Sequence, residues 1–259
     1  MKKIFLLAFI ALTIVACERK TATDVVDANT YTIYAQGNMV EGLLKDSLLF
    51  ATEIDKVLAT EQAHCRLVPI FRTRKDSYGN SYSGTVNYYE RYAEEGIRFQ
   101  SGNSWHDNLI AGFKTIYGSE MVNVSLLNLQ TKQEKYLFEK PVLIENIYYP
   151  APIRDTLNHK PISRDYYMIS CYDEDTDKNG YVNRGDLRRF YLFNTEGDRV
   201  KALIPKEYSV VGSDYDGVND ILNVYARLDS NKDGNVDANE PKHIFCIDLK
   251  KPENTVLLY

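Results

Sequence analysis

Two twelve-residue stretches, DTDKNGYVNRGD (residues 175–186) and DSNKDGNVDANE (residues 229–240), lie 54 positions apart. Each carries oxygen-bearing side chains in the same slots around a glycine at its sixth position. The same shift lays FYLFN (190–194) on IFCID (244–248). A repeat constrains the fold strongly: equivalent flanks should take one structure, and each copy must bury its apolar face against a neighbour. VSLLNLQTKQEKYLF (124–138) reads as a third copy without the acidic loop, at a longer spacing.

From Tyr31 onward the chain is mostly short β-rich runs such as RLVPIF, VNVSLLNL, YYMISCY, RRFYLFN, NVYARL and HIFCIDL, with Gly, Asn, Asp or Pro between many of them. Twenty tyrosines and ten phenylalanines suit pleated, half-buried surfaces better than helix faces. The expected fold is therefore all-β: repeated antiparallel β-meanders, propeller-like, with the acidic loops between strands. Residues 40–58 fit a helical period and a strand equally well.

The slots of the two loops match what a hard cation needs. Calcium takes six to eight oxygen ligands, and a twelve-residue loop supplies them from positions 1, 3, 5, 7, 9 and 12, with glycine at 6 for the sharp turn. In loop one these are Asp175, Asp177, Asn179, Tyr181 through its carbonyl, Asn183 and Asp186, around Gly180. In loop two they are Asp229, Asn231, Asp233, Asn235 through its carbonyl, Asp237 through water and Glu240, around Gly234. Loop two has four carboxylates in its slots and loop one three, so carboxylate count alone ranks loop two as the tighter site.

These loops resemble those of EF-hands, a family that places a helix on either side and binds calcium. An α+β chain with a helical EF-hand pair is thus the alternative fold. Pro241 directly after Glu240 and the strand-like YYMISCY before loop one favour strand-loop-strand. Outside the cytoplasm, calcium held this way would be structural, because its binding free energy becomes folding free energy.

The first residues address location. Met1-Lys2-Lys3 is a short basic segment, and IFLLAFIALTIVA (4–16) is an apolar run too short to span a bilayer as a helix. With Cys17 at its end, Ile14-Val15-Ala16-Cys17 resembles the lipobox of bacterial lipoproteins. That resemblance implies a signal peptide over 1–16 and lipidation of Cys17; the polar run after it, which has no apolar period, makes 17–30 a flexible tether to the β-rich domain over 31–259. It also implies a lipid anchor in the cell envelope; Glu18 rather than Asp after the cysteine points to the outer membrane. Removing residues 1–16 takes two lysines and no acids, so 29 basic residues would face 36 acidic ones. That balance argues against a nucleic-acid partner.

Catalytic signals are weak. His64, His106, His159 and His243 are scattered singly, and adjacent His64 and Cys65 face opposite ways on a strand. Neither SWHD (104–107) nor Glu94 beside Glu95 forms a recognisable constellation. Trp105 and the pairs Tyr88-Tyr89, Tyr148-Tyr149 and Tyr166-Tyr167 are candidate platforms for a glycan or peptide, although one of each pair on a strand normally enters the core. Cys65, Cys171 and Cys246 read as free thiols or as one disulfide and a spare. The expected role is binding or scaffolding with calcium as a structural ion; the alternative is an envelope enzyme such as a glycan-acting hydrolase.

Overall fold

A computed structural model describes residues 43–44, 50–76, 78–88 and 110–259. Cys17, the tether, Glu94, Glu95 and residues 104–107 lie outside the described residues. In chain order the strands are β1 (Leu43–Leu44), β2 (Thr52–Ile54), β3 (Leu58–Ala59), β4 (Cys65–Lys75), β5 (Ser81–Ser83), β6 (Asn87–Tyr88), β7 (Lys114–Tyr117), β8 (Met121–Asn128), β9 (Glu134–Tyr136) and β10 (Leu143–Tyr149). They continue as β11 (Asp155–Leu157), β12 (Lys160–Ile162), β13 (Tyr166–Tyr172), β14 (Tyr181–Val182), β15 (Arg189–Asn194), β16 (Arg199–Ala202), β17 (Tyr208–Asp216), β18 (Ile221–Leu228), β19 (Lys242–Asp248) and β20 (Thr255–Leu257).

The fold is all-β, and every strand pairing is antiparallel. No helix occurs among the described residues, which removes the α+β alternative. Within residues 40–58 the described part forms β1, β2 and the start of β3, so the strand reading holds there. Phe50 points into a core and Thr52 pairs with Arg72, a long-range partnership that outweighs local helical spacing.

Three runs of four consecutive neighbours recur: β2-β4-β8-β9, β10-β13-β15-β16 and β17-β18-β19-β20. The last two strands of each run are the three sequence copies, each a strand, a turn and a strand. The middle run is extended by β7, which pairs with β10, and by β6, which pairs with β7.

Alternation packs these meanders face to face. Along β13 every residue is buried. Tyr167, Ile169 and Cys171 enter a core with residues of β4 and β8, while Tyr166 and Met168 enter a second core with Leu222, Val224, Phe245 and Ile247 of β18 and β19. A strand covered on both faces loses the polar alternation of a half-exposed one. Tyr148 and Tyr149 split between the same two cores. These two tyrosine pairs are therefore packing elements; Tyr88 is partly buried against the first core, and Tyr89 lies outside the described residues.

Cys65 and Cys171 are buried free thiols and Cys246 is a half-buried one. Burial pushes all three thiols up in pKa, which makes them poor nucleophiles.

Candidate metal centre

Loop one connects β13 to β15 and loop two connects β18 to β19, at the same place in successive meanders. The flanks are strands in both copies. Pro241 explains part of this: it has no N–H to donate, yet its carbonyl accepts from Leu228 N at 2.9 Å, so it closes a hairpin. Both acidic loops therefore join strands, with no helix on either side among the described residues.

Inside the loops the hydrogen bonds correspond slot by slot. The position-6 N–H reaches the position-1 carboxylate at 3.2 Å in each, Gly180 N to Asp175 Oδ2 and Gly234 N to Asp229 Oδ2. Position 7 donates to position 5 (Tyr181 N to Asn179 Oδ1, 2.8 Å; Asn235 N to Asp233 Oδ1, 2.9 Å). The position-12 carboxylate is gripped by the N–H groups of positions 2 and 9: Thr176 (2.6 Å) and Asn183 (2.8 Å) on Asp186, and Ser230 (3.0 Å) and Asp237 (3.1 Å) on Glu240. Positions 4 and 6 are left-handed in both, Lys178 and Gly180 against Lys232 and Gly234. Two unlike sequences with one backbone and one bonding scheme argue that slot chemistry sets the conformation.

The carboxylates differ in how they gather. In loop one an oxygen from each of Asp175, Asp177 and Asp186 lies within 4.8 Å of the others, and Asp175 and Asp186 are buried. This trio can hold a metal ion: like charges packed this closely need a cation, protons or strong donors to coexist. Burial pushes Asp186 up in pKa, against the pull of the backbone N–H groups of Asn183, Asp177 and Thr176. Asn179 and Asn183 each accept a backbone N–H with the side-chain oxygen, which keeps a second lone pair available. Positions 7 and 8 of loop one are β14, paired with β1.

Loop two forms no comparable acidic trio among the described residues. Its second slot is Asn231, whose amide donates to Asp233 Oδ2 at 2.8 Å, and Asp233 and Asp237 are exposed. Asn235 N–H holds the Asp233 carboxyl below its usual pKa. At its base, Asp229 Oδ1 is shut away from solvent with no hydrogen-bond partner, a situation that an ion would relieve.

The two loops touch. The Thr176 hydroxyl lies 2.5 Å from the Gly234 carbonyl and 3.1 Å from Asp186 Oδ1, and it accepts the Leu187 N–H at 2.9 Å. A Cβ on Gly234 would sit 1.9 Å from the Thr176 carbonyl oxygen, whereas one on Gly180 would meet nothing within 4 Å. The same glycine slot therefore does two jobs in loop two: it makes the turn and admits the other loop.

A further acidic stretch, residues 214–220, runs from the end of β17 through the hairpin turn to β18. Asp216 Oδ1 accepts from Val218 N and Asn219 N. Asp220, fully buried, pairs with Arg164 at 2.6 Å, while that guanidinium also donates to the Leu249 and Ala111 carbonyls. Fifty-six residues separate the partners, and no sequence pattern announced the pair.

His64 is exposed beside buried Cys65, His159 sits in the β11–β12 turn, and His243 Nδ1 shares a 2.9 Å hydrogen bond with the Tyr208 hydroxyl. These three share no site. No family model matches the chain, and no curated protein matches it. Among solved structures it is similar to a crystal structure of the tricorn protease at 9% identity and a TM-score of 0.25, over 83% of this chain and 27% of that one, a likeness too slight to argue from.

Proposed function

We propose that this protein is a calcium-binding lipoprotein of the bacterial cell envelope, held by Cys17 in the outer membrane, whose propeller-like stack of β-meanders is stiffened by calcium and acts by binding or scaffolding. The observation that carries the calcium reading is the slot-for-slot identity of bonding in two loops whose residues differ, together with the gathered Asp175, Asp177 and Asp186. The donor set is all oxygen and lacks His and Cys, which suits calcium over zinc or copper. Support for propeller-like stacking is the threefold recurrence of a four-strand meander with a core between successive copies. The lipid anchor rests on the lipobox-like residues 14–17 and on the polar stretch that follows them. A protein or glycan partner fits the surplus of acidic over basic residues, and nucleic acid does not.

Thermal unfolding titrated with calcium tests the metal reading. Extracellular modules of this type bind at about 10⁻⁴–10⁻³ M, so 10 mM calcium would stabilise by about 1.4–2.7 kcal/mol per site. Asp175→Ala and Asp229→Ala should each remove part of that gain. No shift at 10 mM calcium sinks the reading. Membrane fractionation of Cys17→Ala, which should release the protein from the membrane, tests the anchor separately.

A further inference from the structure

We propose that a small arginine-lined cleft beside loop one is a binding site for a single oxyanion, carboxylate or sulfate in size. The cleft is about 70 Å³; Arg72 and Arg74 of β4, Ser119 and Glu120 of the β7–β8 turn, and Asn183 and Arg184 of loop one line it, with Leu143 of β10 as its apolar wall. Three guanidiniums face it with one carboxylate among them, and Glu145 holds Arg184 from the side. Counting both acids, the cluster keeps one excess positive charge in a chain whose formal net charge is −5.

The architecture keeps the donors in place. Glu120 bridges Arg72 and Arg74, with Arg72 Nε to Glu120 Oε2 at 2.6 Å and Arg74 to Glu120 Oε1 at 2.8 Å. Glu120 does this from a left-handed backbone (φ 66), a conformation that costs about 1–2 kcal/mol for a residue with a Cβ. Its carbonyl is also committed, accepting from Arg72 N at 2.8 Å. Burial, with a smaller push from neighbouring Arg74, holds Arg72 below the usual guanidinium pKa. Arg184, with 57% of its side chain exposed, stands at the mouth, and one carboxylate contact leaves most of its five N–H donors for a ligand.

Size and charge choose the ligand. A space of about 70 Å³ with an open mouth has room for one carboxylate or sulfate. Guanidinium forks match such planar or tetrahedral oxygens with paired N–H donors. The site would take a free small anion or the acidic group of a larger molecule lying across the mouth. Asn183 and Arg184 belong to loop one, so the site is tested both with and without calcium.

The test is NMR of the arginine Nε–H signals in the purified chain, titrated with sodium sulfate against sodium chloride at equal ionic strength, and with sodium glucuronate against glucose. Each titration is run with chelator and again with calcium. Saturable shifts at Arg74 and Arg184, on the order of millimolar for a single anion, are expected. Arg74→Gln and Arg184→Gln should each weaken binding at least about tenfold, while Lys132→Gln in the β8–β9 turn leaves it unchanged. Both arginines are partly exposed and sit outside the core, so the variants should fold. Tighter binding of glucuronate points to an acid group carried on a carbohydrate; equal or tighter binding of sulfate points to a small inorganic anion. Shifts no larger than those with chloride in both buffers, or saturable binding that survives both substitutions, would overturn the assignment.

Discussion

In loop one the carboxylates of Asp175, Asp177 and Asp186 come together and Asp186 is fully buried; in loop two Asp233 and Asp237 stay at the surface and only Glu240 and one oxygen of Asp229 are enclosed. Their backbones bond alike, so the difference comes from what lies beside each. Loop two's glycine presses against Thr176 of loop one, and that threonine passes the contact to Asp186. Carboxylate count ranks loop two first; the gathering of charge ranks loop one first. A metal loop's strength depends on how its neighbours confine the acids, as well as on how many there are.

The strongest way to break the comparison is at the shared glycine slot. Gly234→Ala places a methyl against the Thr176 carbonyl in a left-handed residue and should cost more than about 3 kcal/mol in denaturant unfolding. Gly180→Ala, left-handed but open, should cost about 1 kcal/mol. Equal costs would mean that the loops do not press on one another. Next come the position-12 acids without calcium: Asp186→Ala strands donors from Thr176, Asp177 and Asn183 and should cost about 2–3 kcal/mol, whereas Glu240→Ala strands two and should cost about 1–2 kcal/mol.

Position 2 offers a smaller contrast. Thr176→Val keeps the shape and leaves the Gly234 carbonyl and Leu187 N–H without their partner, for about 1–2 kcal/mol; Ser230→Ala, at an exposed site, should stay within about 0.5 kcal/mol. The smallest effect is in pH. Because Asp186 has a raised pKa when folded, its native form binds a proton more tightly than the unfolded chain does. In calcium-free protein its contribution therefore grows as pH falls through the raised value and is lost as pH rises through it. Asp186→Asn should flatten that part of the stability profile.

The loops and strands were legible because their signals are local: slot chemistry within twelve residues, β-rich runs between turns, and a repeat that aligned one strand with another. What escaped was set by partners far along the chain. Arg164 and Asp220, Arg72 and Glu120, and Thr176 and Gly234 are each about fifty residues apart, and no periodicity joins them. The tyrosine pairs were harder still. Tyr148-Tyr149 and Tyr166-Tyr167 alternate as strand residues should, yet both members are buried because a sheet lies on each side. Strand pattern alone cannot reveal a second neighbour sheet.

That double coverage has a consequence for how the molecule comes apart. β13 is a party wall: its odd residues furnish one core and Tyr166 and Met168 another. Neither compartment can open without stripping a face from the strand the other depends on, so the meanders on its two sides should melt in one cooperative step, and a cavity carved by Ile169→Ala would loosen the acidic loop that springs from the same strand.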